Sequence, residues 1–186
     1  MALISAKTIL TSLCLFHITL AYFFFTNPRS IADQAMVYLL GEAMGMPTTT
    51  AFNTPTPSTS LLGLVLLILG LSDMLSLSLP QEIWLVHHWS SQAPLRVFLF
   101  TSLAVVTFLT TPKGKRSGGR MSHPIALSGI GQGGGWDGLR NRVFFTLAFV
   151  EMMAWFWVWV TLQEEKKAFM NKKRRRSSGA SRGIQS

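Results

Sequence analysis

Residues 141–162 read NRVFFTLAFVEMMAWFWVWVTL, and the solvent in which this stretch lives decides the fold. Beyond Arg142 a single charge, Glu151, interrupts it, and QEEKK closes it at residues 163–167. As a helix it would rise about 33 Å, close to one hydrocarbon thickness. Backbone groups in lipid must be satisfied within their own segment, so helix is the assignment.

Three other stretches have the same character. Residues 60–79 (SLLGLVLLILGLSDMLSLSL) carry one acid, Asp73, and stop at Pro80. Residues 93–111 (APLRVFLFTSLAVVTFLTT) carry Arg96 near their start and stop at PKGKR. Residues 8–25 (TILTSLCLFHITLAYFFF) follow Lys7 and hold no charge. A signal peptide has a similar apolar run, but this one ends in Tyr-Phe-Phe-Phe and Asn-Pro rather than in small residues. The expected fold is an all-α integral membrane protein with four transmembrane helices.

Composition points the same way. The chain is 48% hydrophobic and 13% charged, against about a quarter charged in soluble domains. Seven of its 17 Lys and Arg residues crowd between Lys166 and Arg176. That distribution describes basic flanks on an apolar body rather than a nucleic-acid-binding face, so no direct nucleic-acid partner is expected. Cys14 is the one cysteine, which excludes an intrachain disulfide.

Between the first two spans, residues 30–45 follow helical spacing but include Asp33 and Glu42. Ser30 can cap the start, and Gly45 with Pro47 can end it. Two acids make a poor span, and the expectation is a short interfacial helix held by protein contact. Residues 113–138 form a Gly- and Ser-rich loop; its GIGQGG neither follows a strand nor ends in Lys-Ser/Thr, so it is read as linker. Residues 166–186 are expected to be a basic, disordered tail.

Four spans place both termini on one side. The dense tail cluster argues for the cytosol there. The basic residues of the Gly-rich loop oppose that choice, and a fourth segment that only dips into the membrane would remove the conflict. Trp155, Trp157 and Trp159 suit an interfacial end in that alternative.

A charge at the centre of a span costs about 2.5–3.5 kcal/mol on insertion scales, so His17, Asp73, Arg96 and Glu151 need partners or a task. Asp73 and Arg96 lie near the same membrane side, and a structural pair locking the second and third spans is the leading reading. An ion or proton pathway past Asp73 and Glu151 is the alternative, and neutral acids hydrogen-bonded in the bundle are a third. His17 is read as a hydrogen-bonded packing residue. Met36, Met44, Met46, Met152 and Met153 are read as packing groups. Gly63 and Gly70, seven apart, permit close helix approach on one face.

Residues 78–94 (SLPQEIWLVHHWSSQAP) then form a connection at the membrane surface. Trp84 and Trp89 are expected in the aromatic belt, with Glu82, His87 and His88 at the water boundary. Adjacent histidines do not make an i, i+4 zinc pair, and HExxH is missing, so neither metal nor cofactor is expected. A docking surface for another membrane protein is the preferred reading of Glu82, Trp84, His87, His88 and Trp89.

FHITLAYFF, NPRSIADQAMVYLLGEAMGMP, PQEIWLVHHWSSQAPLR and NRVFFTLAFVEMMAWFWVWV together resemble the fungal "increased loss of mitochondrial DNA" membrane proteins. LGEAMGM and HHWSSQAPLR are the more specific pieces; the Gly-rich loop and the tail fall outside the match. The resemblance implies an endoplasmic reticulum membrane protein whose loss impairs mitochondrial genome maintenance, with no enzyme activity. A mitochondrial membrane is the alternative location, although the N-terminus offers only Lys7 and no Arg-rich presequence.

Three functions follow as expectations. The first is a non-enzymatic partner or assembly subunit of a membrane complex. The second is a small cation or proton channel or transporter subunit, for which a four-helix bundle is narrow enough to require a homo-oligomer. The third, an enzyme acting on lipid with His87, His88 and Glu82 as acid–base groups, lacks a nucleophile or metal motif.

Overall fold

The computed structural model describes residues 5–80, 82–110 and 137–183, with side chains in the last segment described for 138–175. Helix α1 (Ala6–Thr26) is followed by the short α2 (Arg29–Ala32) and α3 (Ala35–Ala43). Helix α4 (Pro57–Ser76) comes next, then a π-helical segment (Ile83–His88) that runs into α5 (Trp89–Thr110). A 3-10 turn (Asp137–Leu139) leads into α6 (Arg142–Gly183). Four of these helical stretches, Ala6–Thr26, Pro57–Ser76, Ile83–Thr110 and Arg142–Arg175, are long and apolar enough to cross a bilayer. The protein is an all-α membrane protein.

The long helices alternate in direction. Gly63 of α4 lies against Ala21 and Phe24 of α1, whereas Gly70 lies against Cys14 and His17, so the two run antiparallel. Glu82 pairs with Lys173 and Ser90 with Lys166, whereas Arg96 lies over Trp155, so α5 and α6 are antiparallel too. These two pairs, α1 with α4 and α5 with α6, carry most of the packing.

One apolar cluster, at the end where the chain begins, joins Leu10, Leu13 and Cys14 to Trp84, Leu85, Trp89, Trp155 and Val158. A second, at the opposite end, joins Leu20, Phe24, Ile31, Val37 and Val143. The bundle's outer faces show Leu64, Ile68 and Leu75 of α4 and Phe98 and Leu99 of α5, the surface that lipid covers.

Local chemistry sets the helix bounds. Thr56 accepts from the Thr59 backbone N–H at 3.3 Å, while the Thr59 hydroxyl accepts from the Thr56 N–H at 2.8 Å. That reciprocal capping box, followed by Pro57, starts α4 three residues before the expected span. Asn141 caps α6 by accepting from the Phe144 N–H at 2.8 Å. Helix α1 begins at Ser5, which accepts from Thr8 N–H at 3.2 Å. The Ala6 N–H next to it donates to Glu165 Oε1 at 2.7 Å, a carboxylate set against a helix N-terminus.

Several expected boundaries need correction. The interfacial helix of residues 30–45 is two pieces, broken at Asp33 and Gln34. The connection at 78–94 is not a surface loop: helix begins at Glu82, and Pro94 lies inside α5 instead of opening it. Proline is tolerated there because neighbouring groups and local helix adjustments satisfy the freed backbone. The basic tail continues as helix to Gly183. Its first turns are held by contacts of Phe169 with the core, of Lys166 with Ser90 and of Lys173 with Glu82. The Gly-rich loop expected at 113–138 lies outside the described residues as far as position 136.

Candidate functional site

Four helices each contribute an ionisable side chain to the bundle interior. Helical periodicity turns His17, Asp73, Arg96 and Glu151 inward, and His17, Asp73 and Glu151 are 4%, 4% and 5% exposed. Arg96 and Asp73 form a two-pronged pair, Nη1 to Oδ2 at 2.5 Å and Nη2 to Oδ1 at 2.8 Å. Two parallel charge-assisted bonds fix both distance and orientation, so this contact ties α4 to α5. Glu151 is satisfied from two sides: His17 Nε2 stands 2.7 Å from Oε1, and Trp155 Nε1 donates to Oε2 at 2.9 Å. That contact ties α1 to α6.

Trp155 links the two pairs. Its indole N–H serves Glu151, while its ring face lies 4.5 Å from the Arg96 guanidinium carbon. Trp89, stacked on Trp155 at 5.5 Å between ring centroids, lies 5.4 Å from the same carbon. Cation–π attraction is strongest where water is excluded, as it is here. The link between the pairs is thus an aromatic face, not a hydrogen bond, and a proton relay needs a hydrogen-bonded route. Among the described residues, none hydrogen-bonds the buried His17 Nδ1 atom.

Close approach of α1 and α4 brings His17 to this depth. A Cβ at Gly70 would stand 3.0 Å from Ile18 Cγ1, 3.1 Å from the Cys14 carbonyl oxygen and 3.2 Å from His17 Cβ. The seven-residue glycine spacing therefore marks the seam between these helices, within one chain.

The other end of the bundle is fastened by Arg142. It donates from Nη2 to Glu42 Oε2 at 2.7 Å and from Nε to the Met46 carbonyl at 2.9 Å, and it lies 5.5 Å from the Tyr38 ring centroid. A Cβ at Gly41 would fall 2.4 Å from Arg142 Cγ, so only glycine admits this side chain against α3.

The residues of 82–89 separate. Trp84 and Trp89 are 4% and 0% exposed, a correction to the aromatic-belt expectation. Five residues would stand about 140° apart around an α-helix. The π-helical turn, in which the Trp89 N–H bonds to the Trp84 carbonyl, widens the winding and lets both rings face the core. Glu82 and His87 remain exposed, and His88 lies edge-on to Trp89 at 5.0 Å. Glu82 pairs with Lys173, whose hydrogen bond and charge hold its carboxyl below the usual carboxylate range.

Sequence reasoning missed Trp155 as a member of the site, having weighed it only in the alternative in which the fourth segment dips into the membrane. The available signal was its i, i+4 spacing from Glu151, which puts both on one helix face. Trp157, two residues on, faces outward at 57% exposed. It also missed the Glu165 cap and the Arg142 clamp, which join residues more than ninety positions apart and leave no local pattern.

No curated protein and no solved structure matches this chain. A family model does: that of increased loss of mitochondrial DNA protein 1 (Ilm1) matches residues 4–172, which include all four spans, the buried ionic groups and the Arg142 clamp. The chain belongs to the increased loss of mitochondrial DNA protein 1 family.

Proposed function

We propose that this chain is a non-enzymatic, multispanning subunit of an endoplasmic reticulum membrane complex, on which mitochondrial DNA maintenance depends indirectly. The observation that carries this reading is how the intramembrane carboxylates are used. Both oxygens of Asp73 are taken by Arg96, and both oxygens of Glu151 by His17 and Trp155. A catalytic or transport carboxylate has to face its substrate; these face other side chains of the same chain. The family name supports a role in mitochondrial DNA maintenance, and the resemblance that places its members in the endoplasmic reticulum supports that membrane over the mitochondrial one. Outside the membrane, α6 continues as an exposed basic stretch over Lys172, Lys173, Arg174 and Arg175.

Crosslinking with mass spectrometry from native membranes, followed by purification in mild detergent, tests it. The expected result is a defined hetero-complex in the endoplasmic reticulum fraction with crosslinks on α6 beyond Leu162; recovery of this chain alone from every preparation would overturn the reading. Glycosylation-site scanning of the Gly-rich loop tests the accompanying orientation, with modification expected on the lumenal side.

A cation or proton channel subunit is the second reading, favoured by one atom: His17 Nδ1 is buried beside Glu151 without a hydrogen-bond partner among the described residues. Ion flux into liposomes holding the purified protein, abolished by Asp73→Asn, would select it.

A further inference from the structure

A cavity of about 400 Å³ lies where α1 and α6 diverge, with α2 and α3 as its third wall. Phe16, Leu20 and Phe23 of α1, Ile31 and Val37 from α2 and α3, and Val150 of α6 make it apolar. Its exposed lining residues are Thr19, Gln34 and Met36, and none of the residues lining it is charged. Preformed apolar cavities of roughly 300–1,000 Å³ with a few polar groups are the usual form of a small-ligand site.

One such polar group is present. Thr146 lines the cavity, is 4% exposed, and its hydroxyl has no hydrogen-bond partner among the described residues. The contrast with other helix-borne threonines is sharp. Thr11, Thr19, Thr26, Thr107, Thr110 and Thr161 each donate to the carbonyl four residues back. That local bond is the ordinary way to satisfy a hydroxyl in a helix. A hydroxyl left bare in an apolar setting is unfavourable unless something else bonds it. Thr146 is four residues into α6, about 6 Å along the axis from the helix start.

We propose that this cavity binds a membrane sterol, whose ring system fills it and whose hydroxyl hydrogen-bonds Thr146 once that side chain turns about χ1, since its oxygen is otherwise shielded. Charge selects a neutral lipid: the cavity holds no cation for a phosphate, and the nearby Arg29 is already paired with Asp33. Shape selects a ring over a chain. Phe16 to Phe23 covers about 10 Å of helix axis, so the volume implies a mean cross-section of about 40 Å². This is broader than one extended hydrocarbon chain and suits a flat fused ring. A rigid ligand also loses little conformational freedom on entering a preformed site.

The test uses the purified full chain in phosphatidylcholine liposomes with a photoreactive sterol. Adducts are expected on cavity residues of α1, α3 and α6, with unlabelled sterol competing and diacylglycerol not competing. Thr146→Val should lower labelling about five- to tenfold, the loss of one hydrogen bond, and Val150→Trp, which fills the space, should abolish it. Without sterol, Thr146→Val should melt no lower than the unmodified protein, because it removes an unsatisfied hydroxyl at constant volume. Adducts confined to outward residues such as Leu64 and Phe98, equal competition by diacylglycerol, or labelling unchanged in both variants would overturn the proposal.

Discussion

The same kind of contact, a carboxylate with a basic side chain, appears in two settings in this molecule. Asp73 with Arg96 lies within the bundle, its side chains 5% and 19% exposed, whereas Glu82 with Lys173 lies outside the membrane at 55% and 60%. In lipid neither Asp73 nor Arg96 has water as an alternative partner, so each depends on the other. In water Glu82 and Lys173 lose little by parting, and salt screens what attraction remains. Identical chemistry therefore governs folding in one place and only local geometry in the other.

The sharpest way to break that comparison is Arg96→Met. It leaves Asp73 buried and unpaired and should cost about 3–5 kcal/mol, read as a large drop in melting temperature in detergent. Adding Asp73→Leu should recover most of the loss, since an apolar pair of similar size carries no desolvation penalty. A single variant as stable as the unmodified protein would place the pair in water and erase the contrast.

Gly70→Val comes next. Its added side chain would press on the Cys14 carbonyl and the His17 Cβ, part α4 from the helix that carries His17, and cost about 1–3 kcal/mol. Thermal denaturation checks it, and Leu64→Val on the lipid-facing side of the same helix is the control. Arg142→Ala should cost about 1.5–3 kcal/mol through the lost charged hydrogen bonds. Its effect should centre on α3, read as faster amide exchange across Ala35–Ala43, because Glu42 is largely exposed and can find water.

Glu82→Gln should have the smallest effect, with melting unchanged within error and the α5–α6 contact loosened only near its outer end. Acid should mimic it. Lys173 lowers the Glu82 pKa, so the contribution is complete above the ordinary carboxylate range and is lost as pH falls through the lowered value. Spin labels on exposed positions beside Glu82 and Lys173 should separate over that acid range, while labels near Asp73 and Arg96 keep their spacing.

How much of this could be read in the sequence follows the same divide. Long uncharged runs broadcast the four membrane helices, because a bilayer allows no other backbone solution. The Asp73–Arg96 contact was legible because two lone charges on consecutive spans, near one membrane side, have few ways to avoid each other. The wet ends were harder. A tail rich in Lys and Arg reads as disordered, yet Phe169, Lys166 and Lys173 anchor its first turns to the start of α5. Trp84 and Trp89 read as headgroup residues because belt and core tryptophans are alike in sequence; a π-helical turn, invisible to 3.6-residue spacing, sends both inward. The buried hydroxyl of Thr146 left no signal at all, since its meaning depends on a bond it does not make.

Helix α6 runs without a break from Arg142 to Gly183, about 63 Å of axis, of which some 30 Å lies past Leu162. Such a rod is a lever with its fulcrum at the aromatic stack around Trp155. A 10° lean of the part inside the bilayer would sweep the far tip by about 7 Å. Whatever meets that tip is mechanically geared to the packing of Glu151 and its neighbours.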